Sequence, residues 1–169
     1  AMLVQAGHDN TAWSSDSVTT SMTNRAGVLV RNAERSEVIK AALMAGADRV
    51  THDTTSADLL NYRRSATDQT ANGLDRRYGA GQLNVRNSYW ILAGGEQGST
   101  EDGNAAASVA SRGFDYDPYF GGSSGSNTTA TYPLPVDTVP RLLTAALVWN
   151  LDINGGTASS FNPAATLRD

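Results

Sequence analysis

The apolar residues of this chain change their period along its length, and that switch restricts the possible folds more than any other property. Before residue 94 they recur at helical spacing. Val38, Ile39, Ala42, Leu43 and Ala45 lie on one stripe, and Leu83, Asn87, Trp90 and Ile91 share one face. After residue 129 the period shortens to two. Ala130, Tyr132, Leu134 and Val136 alternate with polar residues or proline, as in an edge strand. Leu143, Ala145, Leu147, Trp149 and Leu151 continue the alternation in the strongest strand signal of the chain. Side chains two apart share a face only in extended backbone, so helices are expected first and strands last.

Capping residues sharpen the helices. Ser36 to Ala47 is predicted to be helical, with Ser36 as N-cap and Glu37 in the first turn, where the helix dipole favours an anion. Gly46 suits a left-handed C-terminal position. Leu83 to Leu92 is predicted as a second helix, with Asn84 as its cap. Ala1-Met2-Leu3-Val4-Gln5-Ala6-Gly7 reads as the last turns of a helix with a glycine stop. The expectation from that start is that the numbering begins inside a longer protein.

The remaining segments are polar. Residues 8–35 and 48–72 are expected to be long loops or insertions, with a short helical turn over Asp58-Leu59-Leu60-Asn61-Tyr62. Gly73 to Gly81 reads as a structured loop anchored by Tyr78. Residues 94–128 are rich in Gly, Ser and Asn and read as a connector. Inside it, Gly113-Phe114-Asp115-Tyr116-Asp117 is an aromatic island expected to dock on a neighbouring surface. Asn154-Gly155-Gly156 signals a turn.

Composition removes several classes of function. The chain has 169 residues, 18% of them charged, and a formal net charge of −4. Lys40 is the sole lysine, which argues against a polybasic membrane patch, and the negative balance argues against nucleic acid. There is no cysteine, hence no disulfide, thiolate metal site or cysteine nucleophile. No apolar run is long enough to span a membrane as a helix.

Four segments, taken in order, resemble the subtilisin-like serine proteases. Ala1-Met2-Leu3-Val4-Gln5 resembles the end of the family helix that opens with the serine nucleophile. Val38-Ile39-Lys40-Ala41-Ala42-Leu43-Met44-Ala45 resembles the next family helix. Tyr78-Gly79-Ala80-Gly81-Gln82-Leu83-Asn84-Val85 resembles the Gly-x-Gly-x-Leu-Asn-Val type segment that opens the last helix of the protease domain. Leu143-Thr144-Ala145-Ala146-Leu147-Val148-Trp149 resembles a strand of the β-sandwich that follows the protease domain in some secreted bacterial members. Together they cover about a third of the chain.

The resemblance implies an α/β fold class. Residues 1–93 would be the helical C-terminal portion of a subtilisin-like domain, 94–128 a connector, and 129–169 the opening strands of a β-sandwich. It implies a secreted or cell-surface protein of bacterial type. The parent would hydrolyse peptide bonds in polypeptide substrates with a Ser-His-Asp triad, and the rest of the protease domain would be this chain's partner. The triad would lie upstream, so no catalytic, cofactor-binding or metal-binding residue is assigned within the chain. Calcium is left to the parent. Alternatives are a non-catalytic subtilase-related surface interaction module, a carbohydrate-binding β-sandwich and an unrelated metal-dependent hydrolase.

Substitutes for the missing triad are poor. His8 precedes Asp9-Asn10 and His52 precedes Asp53-Thr54, whereas the family histidine is followed by Gly-Thr; both read as loop histidines. Gly98-Ser99-Thr100 superficially resembles a serine turn, but no apolar helix follows it. Asn150, Asp152, Asn154 and Gly155 mimic the start of a calcium loop, yet its twelfth position would be Phe161, so a strand-end turn is the better reading. Asp115 and Asp117 read as loop carboxylates, and His8, Asp9 and Asp16 form no ligand cluster. Tyr89, Trp90, Phe114, Tyr116, Tyr119, Phe120 and Trp149 are read as packing groups in preference to a carbohydrate platform.

Overall fold

Three helices and the loops between them build the centre of the molecule. The computed structural model describes residues 1–15, 22–52, 59–61, 66–102, 109–118, 120, 127–134, 143–149, 151–154 and 164–167. Helix α1 spans Met2–Asp9, α2 Ser36–Gly46 and α3 Val85–Ala93. Single 3-10 turns form at Thr11–Trp13, Asn32–Glu34, Ala66–Asp68 and Thr100–Asp102.

The helix starts follow local chemistry. Asn84 caps α3: its side-chain oxygen accepts from the Asn87 backbone N–H at 3.0 Å. At the start of α2 the cap position is Arg35. Ser36 instead lies inside the helix, and its hydroxyl donates to Glu37 at 2.9 Å.

Two glycines expected as helix stops have a different role. Gly7 lies within α1 and Gly46 closes α2, both without positive φ. A Cβ on Gly7 would stand 2.7 Å from the Ala33 carbonyl oxygen. One on Gly46 would stand 2.7 Å from the Ser88 backbone nitrogen. These glycines let the 3-10 turn Asn32–Glu34 approach α1, and α3 approach α2.

Around those contacts a small core forms from Leu3, Ala33, Val38, Ala42, Leu92 and Phe114. Trp13, Ile39, Leu43, Ile91 and Tyr116 pack against it. Phe114 comes from the expected aromatic island, tied in by the Phe114 N–H donating to Gly95 O and by Gln97 N–H donating to Phe114 O. The stretch after α3 therefore supplies core as well as connection.

The loop after residue 68 is organised by Asp75. Its Oδ1 accepts from the backbone N–H groups of Arg77 and Tyr78 at 2.8 and 2.9 Å. Asp75 and Gly79 exchange both backbone hydrogen bonds, with Gly79 at φ 61°. A two-way backbone pair between Asp48 and Gln82 then brings the loop to the end of α2.

The expected α/β class is overturned. Among the described residues, strand pairing consists of two separate antiparallel pairs. One joins β1 (Val50–His52) to β2 (Leu59–Asn61), and the other β3 (Leu151–Asn154) to β4 (Ala164–Leu167). Their pairing makes neither a parallel sheet nor a sandwich among the described residues. The helices pack on one another and on loops, so the interior is an α-helical and loop core. Leu59–Asn61, expected in a helical turn, has strand backbone instead.

The segment Leu143–Trp149 does alternate, but it belongs to no ladder among the described residues. Leu143, Ala145, Leu147 and Trp149 are exposed, while Thr144, Ala146 and Val148 are half-covered. Thr144 is held by the Arg49 guanidinium at 2.9 Å. Period two separates the two faces of a segment; a sheet also needs a neighbouring strand in register.

Candidate docking groove

An apolar groove runs between α1 and α3. Met2, Leu3 and Ala6 line it from α1; Val85, Arg86, Tyr89 and Trp90 line it from α3. Positions four apart share a helix face, which places Met2 beside Ala6, Val85 beside Tyr89, and Arg86 beside Trp90. Asn84 sets the start of α3, and its side-chain nitrogen donates to Asp48 at 2.9 Å. The cap thus anchors α3 to the end of α2 and helps place its groove-facing residues.

The groove has a buried floor and an open rim. Leu3 is buried, whereas Met2 is 73% and Trp90 44% exposed. Trp13 meets Tyr89 edge to face at 5.4 Å, and Tyr89 meets Trp90 in the same manner at 5.5 Å. Such T-shaped contacts suit the ring quadrupoles. Arg86 is the only charged group in the lining among the described residues. The arrangement suits apolar protein side chains and offers little hydrogen bonding to a sugar. By contrast, α2 turns Val38 and Ala42 into the core and exposes no large apolar residue.

Behind the groove, Glu96 joins three parts of the chain. Its backbone N–H donates to Trp13 O. Its carboxylate accepts from the Ser15 backbone N–H and from the Asn32 side chain, the latter at 2.9 Å. Asn32 in turn accepts from Arg35 Nε at 3.0 Å, and the Arg35 guanidinium lies 4.3 Å from the centre of the Tyr116 ring. Burial raises the Glu96 pKa; hydrogen bonds from Ser15 and Asn32 oppose the rise, and the Asp115 charge adds to it.

The sequence candidates for chemistry are dispersed. His8 Nδ1 lies 3.1 Å from Glu34 Oε2, which joins α1 to the turn Asn32–Glu34. Ser99 is buried, at 1% exposure. Asp115 accepts from the Tyr132 hydroxyl at 2.6 Å, and Asp117 from the Asn127 side chain at 3.0 Å, so both carboxylates fasten the stretch 127–134. The His52, Asp152 and Asn154 side chains, Asn150, Gly155, Asp16, Tyr119 and Phe161 lie outside the described residues. Of the aromatics, Phe114 is in the core, Tyr116 lies under Arg35, Tyr89 and Trp90 line the groove, and Phe120 and Trp149 are exposed.

Sequence reasoning missed the groove because Met2 and Ala6 had no visible partner across the fold. It missed the Glu96 junction because Trp13, Ser15, Asn32 and Glu96 are far apart in the chain. Asn84 was legible from its position before an apolar stripe. No helix among the described residues is long and apolar enough to cross a membrane. No protein-family model, curated protein or solved structure matches this chain.

Proposed function

We propose that this chain is a supporting part of a secreted subtilisin-like serine endopeptidase, and that it docks the polypeptide carrying the Ser-His-Asp triad without doing chemistry itself. The observation that carries this reading is the groove. It is formed by α1 and α3, two of the segments whose sequences resemble the family, and it leaves Met2, Val85, Tyr89 and Trp90 open on adjoining helices. An open apolar face of this kind favours a protein partner.

A triad needs a nucleophile and a base within hydrogen-bond reach. His8 is engaged with Glu34, and Ser99 is buried. This dispersal supports a non-catalytic role for the chain and is shared by the second reading, a subtilase-related surface interaction module with no active triad anywhere.

The test is labelling with a fluorophosphonate, which captures an activated serine. The gene product as made by its source is compared with residues 1–169 alone. Labelling and peptide hydrolysis by the source product, with neither in the isolated chain, support the proposal. Labelling within residues 1–169 overturns it. An unlabelled, inactive but folded source product selects the interaction module.

A further inference from the structure

Asn72 precedes Gly73 at the tip of an exposed turn, and we propose that it is a site of spontaneous deamidation. Residues 70–74 form a tight hairpin-like loop. The Thr70 N–H donates to Leu74 O at 2.7 Å, and the Gly73 N–H donates to Thr70 O at 3.0 Å. Gly73 takes φ +71°, where glycine carries no steric penalty. Asn72 is exposed, and its carboxamide makes no hydrogen bond among the described residues.

The reaction needs a backbone nitrogen to reach the side-chain carbonyl carbon one residue before it. A side chain on the following residue obstructs that approach. Here the following residue is glycine, and a Cβ built on Gly73 would meet no atom within 4 Å, so nothing beside Gly73 crowds the approach; its N–H must first leave the Thr70 carbonyl that holds it in the turn. The Gly73 nitrogen, after losing its proton to water or hydroxide, attacks Cγ of Asn72. The N–Cγ bond forms, the Cγ–Nδ2 bond breaks, and ammonia leaves with a proton from solvent. Water then opens the five-membered imide at either carbonyl, leaving aspartate or isoaspartate at position 72.

The other exposed asparagines among the described residues lack this combination; Asn154 also precedes a glycine, but its side chain lies outside the described residues. Asn10, Asn24 and Asn87 are exposed but precede Thr11, Arg25 and Ser88. Asn24 also accepts from the N–H groups of Ala26 and Val28, and Asn32 is buried. Deamidation would add one negative charge beside Arg76 and Arg77. The isoaspartate product would also lengthen the backbone by one carbon inside the loop that leads into Asp75.

The experiment ages residues 1–169 in neutral to mildly alkaline buffer. Peptide mapping by mass spectrometry follows each asparagine, and isoaspartyl methyltransferase labelling detects the isomer. Asn72 is expected to convert about tenfold faster than Asn10, Asn24 or Asn87, equivalent to a barrier lower by about 1.4 kcal/mol. Its rate should rise with pH, and isoaspartate should appear at position 72. Asn72→Gln should remove the product, while Gly73→Ala should slow it. Conversion at Asn72 no faster than at those three asparagines overturns the proposal, and that comparison needs only the unsubstituted protein.

Discussion

Gly46 and Ser88 meet so closely that a single added carbon would collide. A Cβ on Gly46 would lie 2.7 Å from both the backbone nitrogen and the hydroxyl oxygen of Ser88. Ser88 is fully buried, and its hydroxyl donates to Asn84 O at 2.9 Å. This contact sets the distance between α2 and α3.

Gly46→Ala should therefore destabilise the protein although alanine is the better helix former. The helix-propensity gain is about 1 kcal/mol; overpacking against backbone costs about 1–3 kcal/mol. A net loss on chemical denaturation is expected. Ser88→Gly in the same chain should recover part of it by opening space around the hydroxyl. A stabilised Gly46→Ala protein would show that the helices separate freely.

Asn84→Ala should weaken the start of α3. The substitution removes the cap to the Asn87 N–H and the bond to Asp48. Loss of a side-chain cap costs about 1 kcal/mol. Asn84→Asp should retain the cap but place a second carboxylate against Asp48, giving an intermediate stability that improves with salt. Equal stability of all three proteins would contradict the capping role.

Leu92→Ala should be the most damaging of these changes. Leu92 has no exposed surface and belongs to a core of few residues. A cavity of this type costs about 2–5 kcal/mol, enough to threaten a small domain. Loss of the cooperative thermal transition is expected, while Met2→Ala at the open groove rim should change stability little. Circular dichroism melts compare the two.

Glu96 and Glu101 should give opposite pH trends. Glu96 has a folded pKa above 4.5 because of burial, so the native state holds its proton more tightly than the unfolded chain. Its contribution is fully present below 4.5 and is lost as pH rises through the folded pKa. Glu101 is held down to about 2, chiefly by side-chain and backbone hydrogen bonds from Thr131. Its contribution is present above 4.5 and is lost as pH falls through about 2. Glu96→Gln should remove the first trend and Glu101→Gln the second, measured by denaturation across acid pH. Unchanged slopes in both variants would exclude the assigned environments.

Local chemistry was readable from sequence where neighbours in the chain decide the outcome. Val38 and Ala42 form a stripe because a helix places residues four apart together. Asn84 caps because its oxygen reaches the Asn87 N–H. Long-range geometry decided the rest. Glycines 7 and 46 became close-approach points once Ala33 and Ser88 lay opposite them. Phe114 joined the core through Gly95 and Gln97, and the Leu143–Trp149 segment lacked the described strand partner that a sheet requires. Periodicity specifies the face an element can bury; only tertiary packing supplies the surface that covers it.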